Sequence, residues 1–343
     1  MTTTVAAIAA LWFSSESLRA TRDQYGLSQQ VAVTDRFQKA VEQLASDKVD
    51  TRIAGVYLLE RLAKDSPPDH TVIFGVLTAF LRTHASRSDC APVERAATQK
   101  APPDIQAALT VVGRRNIMND PDEIDLAGTC LAHARLFGNF ADSTLAEANL
   151  TDILTRSTNL ARADFRLANL SSAVLLGANL HGANLRGASL SKSDLGCDLL
   201  PDNTISCTNL RDADLGCVYE TDPSPTCADL TDAELTGADL TMVNFAGANL
   251  TRAVFNCIIE SDGKRTCADL TSAWLENANL TGALLRGVNM TDAYLPGANL
   301  TSAKLEEANL TNIFYDNTTL WPDGFTPPPS RPIAFPAAPN APR

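Results

Sequence analysis

Between Ile124 and Leu320 the chain repeats every five residues, and that period excludes most folds. From Phe140 on, an apolar residue falls at almost every position divisible by five, from Leu145 and Leu150 through Leu240 and Leu280 to Leu310. A small residue precedes it by two, as at Ala148, Ala178, Ala248, Ala298 and Ala308, with Asn or Asp between, as at Asn149, Asn179, Asp239 and Asn299. Self-similarity at a fixed period marks an array in which stacked units share one core. Five fits neither the 3.6 of a helix nor the 2 of a strand. The leucines meet only if the chain turns once per unit, so that each Leu and each Ala points to a common axis.

The unit Ala-(Asp/Asn)-Leu-X-X, sustained over 124–320, resembles the pentapeptide-repeat proteins. The resemblance implies a mainly β fold, a right-handed quadrilateral β-helix with four units per coil. In that family the central Leu or Phe and the preceding Ala point inward and the other three positions outward. The first units, around Leu126, Leu131 and Leu136, run one residue out of phase, and the slip falls between Leu136 and Phe140. A bulge or bend is expected there. Thr155 also interrupts the leucine column, so the early coils are expected to be the least regular.

The rest of the chain is organised around this array. Residues 1–30 carry an apolar run, Val5–Phe13, then a polar helix, Ser14–Gln30. The run is too short to span a membrane and lacks signal-peptide flanks. Two readings stand: a buried helix start, or the end of a membrane anchor whose beginning is missing. Arg19 and Arg22 would then hold the chain in the cytoplasm.

Residues 31–85 read as helices. Val33, Phe37, Val41 and Leu44 share one face. Thr51–Lys64 follows, capped by Asp50, with Ile53, Val56, Tyr57, Leu59 and Leu62 apolar. Ser66-Pro67-Pro68-Asp69 separates it from a helix over His70–His84. Thr51–Lys64 is similar to a HEAT- or armadillo-type helix, and the segment as a whole resembles one that precedes pentapeptide repeats in actinobacterial proteins. Residues 86–101, with a lone Cys90, read as a linker. Residues 102–123 open on a helix capped by Pro102-Pro103-Asp104, which is expected to cover the first coil with Ile105, Ala108, Leu109 and Val112, because an open solenoid end exposes strand edges and core. The tail 321–343 is rich in proline and is expected to be disordered or polyproline-like, with Trp321 and Phe325 capping the last coil.

Cysteine spacing singles out three places. Cys197/Cys207, Cys217/Cys227 and Cys257/Cys267 each bracket ten residues that lack the leucine rhythm, with Asp202, Asp222 and Asp262 at the midpoints among turn formers. Left in the coil, each pair would lie on opposite faces, too far apart to bond. Extruded as hairpins, each pair meets at its base. Polar residues at the core phase (Glu220, Glu260, Arg265) favour extrusion, and Ser261-Asp262-Gly263 suits a three-residue loop that sets Cys257 opposite Cys267. The six cysteines are disulfide candidates. Their spacing, with no nearby His, does not suit zinc. Hairpins one and three should then leave from one side of the square and hairpin two from the opposite side. Cys90 and Cys130 are left as free thiols. Disulfides imply an oxidising compartment, against the cytoplasmic reading of the N-terminus; reduced thiol pairs in a cytosolic protein are the alternative.

The net charge is −12, and 124–320 holds 24 Asp/Glu against 12 Lys/Arg, which accounts for all of it. An acidic rod repels nucleic acid, so direct binding is not expected. No catalytic constellation is visible. His70, His84, His133 and His181 are dispersed, and Gly177, Gly182 and Gly187 recur as small corner residues rather than as a phosphate loop. No cofactor or metal is expected. The preferred reading is a non-enzymatic scaffold that presents solenoid faces and loops to a protein partner. The alternative comes from quinolone-resistance pentapeptide proteins, which resemble duplex DNA in width and charge and bind DNA gyrase. The absence of an evident C-terminal dimerisation segment, the proline-rich tail and the helical segment depart from that pattern.

Overall fold

The computed structural model describes residues 24, 28, 30–87, 90, 100–115, 123–200, 204–218, 225–260 and 263–332. The run Val5–Phe13 and most of the helix expected over Ser14–Gln30 lie outside them. The chain divides into two compact units, residues 1–73 and 74–343. No helix among the described residues is long and apolar enough to cross a membrane.

In the first unit, α1 (residues 30–44) and α2 (Val49–Asp65) lead through a 3-10 turn, Pro67–Asp69, into the start of α3 (His70–His84), within which the division after Ile73 falls. The buried stripe is Ala40, Leu44, Val56, Leu59 and Leu62, whereas Val41 and Tyr57 face solvent at 38% and 46% exposure. The expected apolar face is thus narrower than the sequence suggests. Gly55 lets the helices approach, since a Cβ there would lie 2.8 Å from the Ala40 carbonyl oxygen. Asp50 is not the cap. The helix starts at Val49 after Lys48, and Asp50 lies in its first turn, where a carboxylate still favours the helix dipole.

The second unit is a solenoid. Parallel bridges pair Asn159 with Asn179, Asp164 with Asn184, Asn169 with Ser189 and Val174 with Asp194, so twenty residues, four units, make one coil. These four columns are its sides. The inward leucines and alanines are fully buried, Leu240, Leu280, Ala248 and Ala278 at 0%. Each side is held by its neighbours, as by Leu240 N–H to the Asp269 carbonyl at 2.8 Å and Leu280 N–H to Asn299 at 2.7 Å. Outside the ten-residue inserts, the chain turns at the second residue after the inward Leu or Phe, which takes positive φ even where it is Asp142, Glu147 or Arg162.

The first coil departs from this rule. Asp125 pairs with Thr144, Cys130 with Asn149, and Arg135 with Leu154, each nineteen residues on. The bulge or bend expected at the slip is a corner one residue short. The loss is taken up before Asn139, where Phe137 is pushed out to 41% exposure and Gly138 sits at φ +101°. A longer two-residue pairing, β1 (Arg135–Leu136) with β2 (Leu154–Thr155), borders the short corner.

That open end is covered side by side. Ser86 bridges Thr129, and Cys130 N–H reaches the Ala85 carbonyl at 2.7 Å. From α4 (Pro103–Gly113), the Gln106 side chain accepts from Arg135 N–H at 2.8 Å and donates to its carbonyl at 2.9 Å, as a missing strand would. The Gly113 carbonyl takes Asn139 N–H at 2.8 Å, and Arg115 donates to the Ala141 carbonyl at 3.2 Å. Gly113 and Gly138 meet backbone to backbone, where a Cβ on either would overlap the other segment. Ile105, Ala108, Leu109 and Val112 are buried.

The tail, expected to be disordered or polyproline-like, lies against the solenoid as far as it is described. Trp321 stacks on Phe325 with ring centroids 5.5 Å apart, and Tyr315 meets Trp321 edge-on at 5.2 Å. Residues 327–332 then lie against the last coil, with Arg331 N–H on the Ile313 carbonyl at 3.0 Å. Backbone pairing with the coil edge holds them, a force that proline content alone does not disclose.

Candidate functional site

The ten-residue inserts leave the coil path. Asn179 pairs with Asn209 and Asn209 with Asp239, thirty residues on, so each insert is skipped by the stack. They form antiparallel hairpins: β3 (Cys197–Leu199) with β4 (Ile205–Cys207), β5 (Cys217–Val218) with β6 (Thr226–Cys227), and β7 (Cys257–Ile259) with β8 (Arg265–Cys267). In each, the two cysteines are cross-strand partners, with sulfurs at 1.97, 1.90 and 1.98 Å. Hairpins one and three emerge between the Val174 and Asn159 columns, and hairpin two emerges at the opposite corner, between the Asp164 and Asn169 columns. The tips Asp202, Asp222 and Asp262 lie outside the described residues. Gly263, at φ +84°, donates to the Glu260 carbonyl at 2.9 Å in the third loop.

Cys90 and Cys130 are not free thiols. They form a fourth disulfide at 1.99 Å, which ties the segment after α3 to the first coil. The sequence separates them by forty residues with no shared pattern. Only the strand-like addition of 85–87 to the coil edge brings them together.

Each hairpin is anchored at its base. Arg156 donates to Asp198, itself 7% exposed, at 2.8 Å. Arg186 donates to the Cys217 carbonyl through Nε at 2.9 Å and Nη2 at 2.5 Å. Arg265 reaches Glu307 at 2.7 Å. The glycines on neighbouring coils have a reason that the sequence hid. A Cβ at Gly237 would lie 2.6 Å from Cys197 Sγ, and one at Gly247 would lie 2.6 Å from Cys217 Sγ. Other corners carry Asp, Arg or Ser at similar φ, so the disulfides, not the dihedral, demand glycine here.

The carboxylates fall into two groups. Those beside the inward Leu cap turns: Asp229, Asp239 and Asp269 each accept the N–H two residues on, at 3.1, 3.0 and 2.9 Å. Asn fills the same role and adds a donor to the coil before, as Asn249 does to Asp229 at 3.0 Å. Corner carboxylates pair with arginines, mostly one coil away: Asp142 with Arg162 at 2.5 Å, Asp232 with Arg252 at 2.6 Å, Glu306 with Arg286 at 3.1 Å. The Arg252 guanidinium, by hydrogen bond, holds the Asp232 carboxyl below the usual carboxylate range. Among the described residues, acids are thus interleaved with Asn, Thr and Arg, and no side carries an unbroken acidic row.

One column changes character toward the C-terminal end. Trp274, Tyr294 and Phe314, spaced by twenty, stack with centroids 4.1 and 5.1 Å apart. Burial, then the Glu276 carboxylate, pushes the Tyr294 phenol up. The interval of twenty was readable in the sequence once the coil length was known. In the first unit, a pocket of about 690 Å³ is lined by Val33, Phe37, Leu62, Val72 and Ile73, with Asp65 and Asp69 among the polar lining.

The histidines stay apart: His70 is buried, His84 stacks on Phe80 at 4.4 Å, His133 faces Asp152 and His181 faces Asp212. Among the described residues no His, Cys, Asp and Glu are grouped as a metal ion would need.

Comparison with known proteins places these features. The family profile for pentapeptide repeats matches eight copies, over residues 158–196, 228–257, 266–301 and 274–312. Among solved structures the chain is similar to HetL, a pentapeptide repeat protein involved in heterocyst differentiation regulation from the cyanobacterium Nostoc sp. The identity is 31%, over 58% of this chain and 86% of that one, with a TM-score of 0.36. It is also similar to QnrB1, a plasmid-mediated fluoroquinolone resistance protein, at 17% identity over 57% and 83%, TM-score 0.30. A third is Rfr23, a pentapeptide repeat protein from the cyanobacterium Cyanothece, at 26% over 42% and 90%, TM-score 0.22. No curated protein matches the sequence.

Proposed function

Since the chain belongs to the pentapeptide-repeat family, we propose that it is a non-enzymatic scaffold whose hairpins and outer faces engage a protein partner. The distribution of acidic groups carries this reading. A mimic of duplex DNA needs rows of free negative charge at phosphate-like spacing. Here Asp229, Asp239 and Asp269 cap turns, while Asp142, Asp232 and Glu306 are neutralised by arginines. What the surface offers instead is relief: two hairpins on one corner, one on the opposite corner, and an aromatic ladder. Such features suit recognition by shape and rings rather than by charge.

The gyrase reading remains the second, supported by the net charge of −12. A supercoiling assay with purified, oxidised protein separates them. The scaffold reading expects unchanged gyrase activity at micromolar protein, with and without a quinolone. Inhibition or protection would reverse the preference. The scaffold reading further expects that shortening a hairpin to a Gly-Gly turn abolishes partner cross-linking and leaves the melt of the coils intact. The disulfide pairs support an oxidising compartment.

A further inference from the structure

We propose that the C-terminal end of the solenoid carries a recognition site for proline-rich, arginine-bearing peptide segments, and that its own residues 327–332 are the resident occupant. That segment reads Pro-Pro-Pro-Ser-Arg-Pro. Consecutive prolines fix an extended helix of three residues per turn with its carbonyls free. The burial pattern has that period. Pro327 and Pro328 are half-buried, Pro329 is exposed, Ser330 and Arg331 are half-buried, and Pro332 is exposed.

The groups that read the segment are specific. Tyr315 donates its hydroxyl to the Pro328 carbonyl at 2.8 Å. Ser330 Oγ accepts from Tyr315 N–H at 3.0 Å and donates to its carbonyl at 2.9 Å. Arg331 reaches the Asp292 carbonyl at 3.3 Å and lies 3.7 Å from its carboxylate, with only 19% of the arginine side chain exposed. An aromatic hydroxyl on a proline carbonyl, with an acid on the arginine, is the chemistry by which aromatic-lined grooves bind proline-rich ligands. The buried Trp321 Nε1 has no acceptor among the described residues. Phe314, next to Tyr315 in the chain, stacks on Tyr294, and Tyr294 on Trp274. A partner's proline-rich segment would displace the resident one. The inference stands whether or not the solenoid spares gyrase, because it concerns peptide binding by the purified protein.

The test uses the full chain and a fluorescein-labelled peptide, Thr-Pro-Pro-Pro-Ser-Arg-Pro-Ile, by fluorescence anisotropy. Arg331→Asp sets a carboxylate against Asp292 and should release the resident segment, so that this variant binds at least tenfold tighter than the unaltered protein. Adding Tyr315→Phe should remove most of that gain, and a peptide with Arg replaced by Asp should not bind. Ser330→Ala releases the segment without changing charge and should also bind more tightly, which guards against misfolding of Arg331→Asp. If both released variants bind the peptide no better than the unaltered chain, or Tyr315→Phe keeps the gain, residues 327–332 are a structural strap and the site does not exist.

Discussion

A methyl group at Gly237 would meet Cys197 Sγ at 2.6 Å, whereas at Gly182 the nearest atom is Arg162 Cγ at 3.6 Å. Both glycines sit at left-handed corners, φ +73° and +64°. Gly182→Ala should therefore cost only the left-handed penalty, about 1 kcal/mol. Gly237→Ala adds a clash with a cross-linked sulfur and should cost about 2–4 kcal/mol by denaturant melt. In a Cys197→Ala/Cys207→Ala background the two substitutions should become equal. An unchanged gap there would mean that the sulfurs are not the cause. Thr155 gives the opposite sign. It occupies an inward Leu position at 0% exposure, and its hydroxyl has no partner among the described residues. Thr155→Val removes a desolvated polar group without opening a cavity and should raise stability by about 1 kcal/mol, read from the same melts.

The elements that close the solenoid ends are marginal by themselves and gain stability from edge pairing. Gln106 replaces a strand for Arg135 with two hydrogen bonds. Gln106→Leu keeps the side-chain bulk, leaves both backbone groups of Arg135 without that partner, and should cost about 1–3 kcal/mol. Amide exchange at Arg135 should accelerate well before that of the central coils; uniform exchange across the solenoid would count against a local cap. At the other end, truncation after Thr326 removes the contacts of Ser330 and Arg331 with Tyr315, Ile313 and Asp292. Exchange should then rise at Ile313–Tyr315 and remain slow at Leu240, with a small drop in melting temperature. A tail without packing would leave both untouched.

At the scale of the molecule, the four cross-links make stability depend on redox state. Closing ten residues contributes about 3 kcal/mol and closing forty about 4 kcal/mol in the chain-entropy account. Cys90→Ser/Cys130→Ser should thus destabilise more than any hairpin pair, and it alone should loosen the N-terminal cap. Intact mass after alkylation decides the native state: no free thiols if the protein matures in an oxidising compartment, eight if it does not. Eight would argue against the compartment inferred above. Reduction of the oxidised protein should lower the melting temperature without abolishing the coils, whose core is built from the inward columns of Leu240, Leu280 and their neighbours.

The five-residue period carries the fold in the sequence itself, because one buried Leu per turn has to recur at the interval at which the chain turns. The same logic extends to the hairpins. Ten residues that keep the phase but lose the Leu must leave the path, and their corners follow from counting sides. Contacts between segments of unlike pattern were not legible. Cys90 meets Cys130 only because residues 85–87 add to a coil edge, and Gln106 is a cap only because Arg135 lacks a neighbour there. Whether the early slip was a bulge or a short corner depended on the approach of Gly113 to Gly138. Residues 327–332 have the composition of a free chain, yet they are held by an unpaired edge. A repeat encodes its interior by periodicity. At its ends the periodicity stops, and which segment satisfies the open hydrogen bonds is a matter of three-dimensional proximity that spacing along the chain does not record.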